Sequence, residues 1–307
     1  MLAYIVRKLL LSIPILLGIV AITFLLFVIV APDPAIVYAG KFKSAAQLQA
    51  IRHQLGTDVP KWRQFVNILT FHFAKSSRYQ ESVWTLFARK APVSLAIQLP
   101  AFFIELGLQL AIALLVASKR ATLLDYGVTF LSVIGLSVPA ISFYLTVQWI
   151  FGGWLQWFPV AGWSPGFFYA LHFAALPILA TVFVNLGGGV RFYRTVVLEE
   201  INSDYVRTAR AKGVARRDVL FTHVLGNVLI PVITNTVAAL PLLFVGSLIL
   251  ERLFQIPGFG NLLVDAIHTQ DQPVVMFITY ITSLIYLLML IVTDILYTVV
   301  DPRVTLR

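Results

Sequence analysis

Cysteine is absent from the 307-residue chain, which excludes disulfides, thiolate metal sites and cysteine nucleophiles. Charge is scarce as well. Asp, Glu, Lys and Arg make up 12% of the residues against 59% for apolar side chains, and the mean hydropathy is +0.87. That balance is too apolar for an ordinary soluble domain of this size, so the chain belongs in a membrane. The phosphate-cradling loop of nucleotide-binding proteins is also missing. It needs Gly, four residues, then Gly-Lys and Ser or Thr, whereas the only Gly-Lys pair, Gly40-Lys41, is followed by Phe42. No His-Glu-x-x-His helix occurs, and His53, His72, His172, His223 and His268 are scattered over different segments, so no metal site is expected.

Acidic residues are the scarcer sign, 14 against 23 Lys plus Arg, for a net charge of +9. In a soluble protein this would suggest nucleic acid as a partner; in a membrane protein it is the mark of cytoplasmic loops, and no nucleic acid is expected. Gly162-Trp163-Ser164-Pro165-Gly166 matches the pattern of a hydrolase nucleophile elbow. That elbow needs a strand before it and a helix after it, and here a Pro/Gly turn between membrane helices is the simpler reading.

What the chain has is long apolar runs. They lie at Leu9 to Ala31, Val93 to Ser118, Gly127 to Phe151, Phe167 to Val190, Val228 to Leu250 and Val274 to Val300. Each is long enough, at ~1.5 Å per residue, to cross ~30 Å of hydrocarbon. The first run follows Arg7 and Lys8 but exceeds the roughly 7 to 15 apolar residues of a signal peptide, so it reads as an uncleaved span. The expected fold is an all-α polytopic membrane protein of six transmembrane helices. Residues 1–8 form a cytoplasmic N-terminus, 9–31 the first span, 32–92 an external loop, and 93–307 a core with a cytoplasmic loop at 191–227.

Six crossings put both termini on one side. With that side cytoplasmic, 13 basic residues lie inside and the short external loops carry only Arg252. This contrast predicts an N-in, C-in orientation. Within the external loop, Ser44 and Gln47 form a capping box and Gly56 stands where a helix should end. Trp62, Phe65, Val66, Leu69 and Phe73 then line one face of a second amphipathic stretch, suited to packing on the bundle rim. Prolines at 14, 100, 139, 177, 231 and 241 interrupt the spans and bend them.

Two acidic residues fall within spans. Glu105 sits near the centre of the second, and Asp294 within two turns of the cytoplasmic end of the sixth. A mid-membrane carboxylate costs about 2.5 to 3.5 kcal/mol, so each needs a partner or a wet cavity. Glu105 is read either as a group on the solute path or as a hydrogen bond that locks two helices.

The loop between the fourth and fifth spans carries the most information. Ser203 or Asp204 can cap a short helix and Gly213 can end it. Only about two turns fit between them, too few to stand alone in water, so the segment must dock on something. Val206, Ala209 and Gly213 make a small, smooth face, and Arg207 and Arg210 lie together on another. Such a helix suits a groove with an acidic wall; a basic loop lying against anionic lipid is the alternative.

From Asp204 the loop reads Tyr205, Val206, Arg207, Thr208, Ala209, Arg210, Ala211, Lys212 and Gly213, followed by His223-Val224-Leu225-Gly226-Asn227 and Ile230-Pro231. It resembles the coupling segment of permease subunits of ATP-binding-cassette importers, most closely the peptide branch, with Arg207 and Thr208 replacing the Glu-Ala pair of the general motif. The resemblance extends along the chain. It takes in Ala31-Pro32-Asp33-Pro34, Gly135-Leu136-Ser137-Val138-Pro139, the run from Glu251 through Pro257-Gly258-Phe259-Gly260 to Asp271, and Asp294 to Asp301-Pro302-Arg303.

The resemblance implies a type I ABC importer permease fold in a bacterial plasma (inner) membrane. It implies a second homologous permease subunit, two ATP-binding subunits that hold ATP and Mg²⁺, and an external solute-binding protein, with no cofactor on this chain. Asp204, Tyr205, Val206, Arg207, Ala209, Arg210, Ala211 and Gly213 are then the ATPase-coupling residues. Pro257, Gly258 and Gly260 belong to an external re-entrant segment, and Glu105, Pro139 and Asp294 to the pathway or to helix packing. Peptides are the implied cargo, with nickel chelates or opine-like solutes as alternatives. An ion-gradient carrier working through Glu105 and Asp294 is the rival from another class.

Overall fold

In the computed structural model, residues 2–33, 35–36, 44–54, 56–164, 166–215, 218–219, 224–245 and 247–300 are described, and among them no strand occurs. Among the described residues four helices are long and apolar enough to cross a membrane, over Val6–Val30, Val83–Ser118, Phe168–Ile201 and Gln272–Thr293. A helix pair bent by 104° adds a fifth if it is one span, and Leu225–Leu240 is a shorter apolar stretch.

The first helix, α1 (Leu2–Phe24), carries Pro14 and runs on into a π-helical turn at Leu25–Val30. Most of its large side chains are exposed, as expected on a lipid-facing rim, but Val20 is fully buried. Val20 packs with Ile68 and Tyr280, which ties α1 to α3 (Lys61–Leu69) and to α12 (Gln272–Val300). In α2 (Ala45–Gln54) the cap is reciprocal: Ser44 N–H donates to Gln47 Oε1 at 3.2 Å and Gln47 N–H to Ser44 Oγ at 3.4 Å. Gly56 follows with φ +66°. The buried face of α3 centres on Ile68 and Phe65, whereas Trp62 and Val66 of the expected stripe stay exposed and Phe73 lies beyond the helix. Helical spacing identifies a face but not how far its edges are covered.

Two long helices form the centre. α4 (Val83–Ser118) begins well before the apolar run at Val93, started by Ser82, whose Oγ accepts from Trp84 N–H at 3.3 Å. α7 runs over Phe167–Ile201. Their 36 and 35 residues give lengths of ~54 and ~52 Å, so both extend past a ~30 Å hydrocarbon layer.

Three consecutive glycines in α7 set how closely its neighbours approach. A side chain at Gly187 would sit 2.8 Å from the Ser132 carbonyl oxygen of α5 (Leu123–Ser137), and one at Gly189 2.0 Å from Gln109 Cδ of α4. Small residues at such crossings let helix backbones meet where lipid supplies no hydrophobic drive.

The third apolar run is broken. Val138, forced toward extended geometry by the proline that follows, separates α5 from α6 (Ala140–Val147), and Pro139 caps the second half. Beyond α6 a π-helical turn continues over Gln148–Trp154. α8 (Asp204–Ala211) lies at one end of the bundle. α9 (Leu225–Val245) leads to the opposite end, where α10 (Leu248–Leu253) and α11 (Phe259–His268) precede α12.

Candidate functional site

The short α8 is held by apolar burial on one side and left open on the other. Val206 is fully buried and Ala209 nearly so, in a cluster with Ala113 and Ala117 of α4, Tyr193 and Val197 of α7, and Val228 and Val232 of α9. The smooth face read from the sequence therefore rests on the chain's own bundle rather than in an outside groove. Burying one valine is worth roughly 1.5 to 3 kcal/mol, enough to hold a helix too short to persist alone.

Tyr205, Arg207, Thr208, Arg210 and Ala211 point away from the bundle. Ser203 is the N-cap residue but does not cap with its side chain; its hydroxyl donates to Glu200 O at 2.6 Å. Past the helix Gly213 has φ +80°, a left-handed turn that glycine adopts without strain. Tyr205 donates its hydroxyl to Glu200 Oε2 at 2.6 Å, and burial together with that carboxylate pushes the phenol above its ordinary range. Arg207 reaches Asp204 at 3.5 Å, with both side chains largely in solvent, a contact worth little. The outer face of α8 thus presents an aromatic ring and two guanidinium groups on a firmly seated base. His223, Arg216, Arg217 and Asp301-Pro302-Arg303 lie outside the described residues.

At the same end, the sequence reading missed a buried ion pair. Arg194 of α7 donates from Nε to Asp125 Oδ1 at 2.7 Å and from a terminal nitrogen to Oδ2 at 2.9 Å. The Ala121 N–H adds a bond to Oδ2 at 2.9 Å. The bidentate fork fixes α5 against α7 directly behind the α8 cluster. Sixty-nine residues separate the partners, and nothing in local sequence pairs them.

Mid-bundle, Glu105 of α4 is half-buried, and Asn185 of α7 donates to its Oε2 at 2.8 Å. Gln109 Nε2 donates to the Asn185 carbonyl at 3.1 Å, so the two central helices are joined by polar bonds at this level. Pro139 is exposed at the break of the third run. Asp294 lies on α12, and its side chain is outside the described residues.

At the opposite end the Pro257-Gly258-Phe259-Gly260 run wraps a buried acid. Glu251, 1% exposed, accepts from Ser94 Oγ at 2.7 Å and from Asn261 N–H at 2.9 Å. Ser94 Oγ in turn accepts from Phe259 N–H at 2.7 Å, so α4 supplies a cap for α11. Burial pushes the Glu251 carboxyl above its ordinary 4.5, outweighing the donors that draw it down.

Gly258 is glycine for steric reasons: a Cβ there would lie 2.4 Å from Glu251 Oε2 and 2.6 Å from Ser94 Oγ. Asp271, also buried, accepts from the Ser76 hydroxyl and from Ser77 and Arg78 N–H, tying residues 76–78 to the start of α12. No strand occurs among the described residues of the Gly162–Gly166 segment, and the Gly162 N–H bonds Phe254 O at 2.8 Å, as the turn reading expects.

This arrangement combines apolar spans, a docked basic helix at one end and a capped segment around a buried acid at the other. It matches what is found by comparison. Residues 109–306 match the model of the binding-protein-dependent transport system inner membrane component, and residues 1–85 match the N-terminal model of such membrane components. The chain is 33% identical to the oligopeptide transport system permease protein AppB of Bacillus subtilis over 99% of both chains. It is 33% identical to the dipeptide transport system permease protein DppB of Lactococcus lactis over 100% of both. It is 32% identical to the di/tripeptide transport system permease protein DppB of Pseudomonas aeruginosa over 99% of both. The helical membrane protein described here belongs to the binding-protein-dependent transport system inner membrane component family.

Proposed function

We propose that this chain is a permease subunit of an ATP-driven peptide importer, forming half of the translocation pathway. The observation that carries the reading is α8, seated by Val206 and Ala209 on three membrane helices with its basic face outward. A subunit without its own nucleotide loop needs such a handle to be moved from outside. The names of full-length relatives as dipeptide, di/tripeptide and oligopeptide permeases support the cargo class.

In this reading six spans place both termini and α8 in the cytoplasm of a bacterial cell, supported by the distribution of Lys and Arg. A second permease, two ATPase subunits that hold ATP and Mg²⁺, and an external solute-binding protein complete the machine. ATP binding closes the ATPases and displaces α8. The bent spans swing, and the central cavity changes sides.

The test is gentle purification from the native membrane with mass spectrometry of what accompanies the chain in fixed proportion, followed by peptide uptake in liposomes. A second permease and ATPases are expected, and uptake should require ATP. Arg207→Glu with Arg210→Glu should leave ATP hydrolysis running and abolish uptake. A chain arriving alone and transporting without ATP would overturn the proposal in favour of an ion-coupled carrier.

A further inference from the structure

Each of the well-buried acids described above has its donors. Asp125 has a bidentate arginine and a backbone N–H, Glu251 a serine and a backbone N–H, and Asp271 a serine and two backbone N–H groups. Glu105 differs. It stands midway along α4, takes part in none of the ion pairs among the described residues, and receives one bond, from Asn185 to Oε2. Its other oxygen receives no donor among the described residues, although the side chain is half-open at a depth where hydrocarbon makes an unsatisfied carboxylate costly.

The hydrogen-bonding neighbour is a neutral side chain from another helix. Asn185, at the middle of α7, uses its amide N–H₂ on Glu105, and among the described residues its Oδ1 receives no donor. Gln109, one turn along α4 from Glu105, donates its Nε2 to the Asn185 carbonyl at 3.1 Å and holds that residue in place. Helices α4 and α7 therefore bring one carboxylate and one amide to the same place, and among the described residues no cation is paired to the acid. A primary ammonium carries three donors and a positive charge, the complement of that set.

We infer that Glu105 and Asn185 form a station in the pathway that receives the α-ammonium group of the passing peptide. The inference rests on the peptide reading above and goes further by assigning a part of the substrate to a place in the membrane. A single neutral-flanked carboxylate suits transit, since one charge-assisted contact attracts the cation without holding it as a closed cage would.

The experiment uses the complete transporter with its binding protein in liposomes and two cargoes, a free-amine peptide and the same peptide with its α-ammonium replaced by hydrogen. Delivery is checked for each by the rise in ATP hydrolysis when loaded binding protein is added. Glu105→Gln keeps the shape of the side chain and the Asn185 bond. It should lower uptake of the free-amine peptide at least about ten-fold, the scale of one hydrogen bond to a charged group, and leave the des-amino cargo within about two-fold of wild type. Glu105→Asp should fall between.

Equal loss for both cargoes would make Glu105 a packing lock, and loss for neither would remove it from the path; either result overturns the inference. Absence of ATP-dependent peptide uptake by the wild-type assembly would instead defeat the peptide reading itself.

Discussion

Replacing Gly258 by alanine adds a single methyl group at the tightest point of the segment between α10 and α11. The added Cβ would lie 2.4 Å from Glu251 Oε2, 2.6 Å from Glu251 Cδ and 2.6 Å from Ser94 Oγ. Both neighbouring side chains are 1% exposed, so neither can swing into open space. Relief requires the carboxyl group to leave Ser94 or Asn261. Overpacking of this kind costs about 1 to 3 kcal/mol, and a buried polar group left without its partner costs about 1 to 3 kcal/mol more.

A central value near 4 kcal/mol is roughly 1,000-fold in an opening equilibrium. Amide hydrogen exchange along Phe259–His268 should accelerate by that factor while the amides of α8 stay unchanged. The control is Gly107→Ala, where a Cβ meets nothing within 4 Å and no loss is expected. Pairing Gly258→Ala with Glu251→Ala should cost less than the two changes summed, because the second empties the space the first needs. Unchanged exchange in α11 for Gly258→Ala, or strict additivity of the pair, would refute the claim that this glycine exists to admit the buried acid.

Two further predictions concern the fixed charges. Arg194→Gln strands Asp125 with its side chain 3% exposed, so thermal melting in detergent should reveal a loss of roughly 3 to 5 kcal/mol. Asp125→Leu with Arg194→Met should recover most of it, and a double variant as unstable as the single one would sink the argument. Glu251 titrates above its unfolded value near 4.5, so its contribution favours the folded segment below that value and is lost as pH rises through the folded one. Protection of α11 should therefore increase on acidification from neutral pH toward 4.5, and Glu251→Gln should flatten the trend; a slope that survives the substitution assigns it to another group.

Local chemistry was legible in the sequence wherever a signal and its consequence lie within one turn. The Ser44–Gln47 cap, the start of α8 at Asp204, the left-handed glycine at 213 and the break at Pro139 all depend on neighbours a few residues away. What joins distant segments was not legible. Ser94 and Glu251 are 157 residues apart, and neither residue type announces a buried partner. The smooth face of α8 was visible as a face, but the sequence offered no means of deciding whether it covers a partner or its own bundle. Nothing local at Gly187 and Gly189 announces the helices that cross there on either side.

Those glycines have a mechanical consequence. α7 is one continuous helix that ends two residues before α8 begins, and its closest crossings with both neighbours fall at the same level. If that level is the fulcrum, the arm from Gly188 to Ile201 is ~20 Å long and the arm from Phe167 to Gly188 ~32 Å. A rocking motion that shifts the coupling end by about 3 Å would move the far end by about 5 Å in the opposite direction. On the far arm Phe173 lies against Gly162, whose N–H is bonded to the Phe254 carbonyl at the end of α10. In the proposed importer, a small pull on α8 would thus be geared up, and reversed in sense, at the far end of α7.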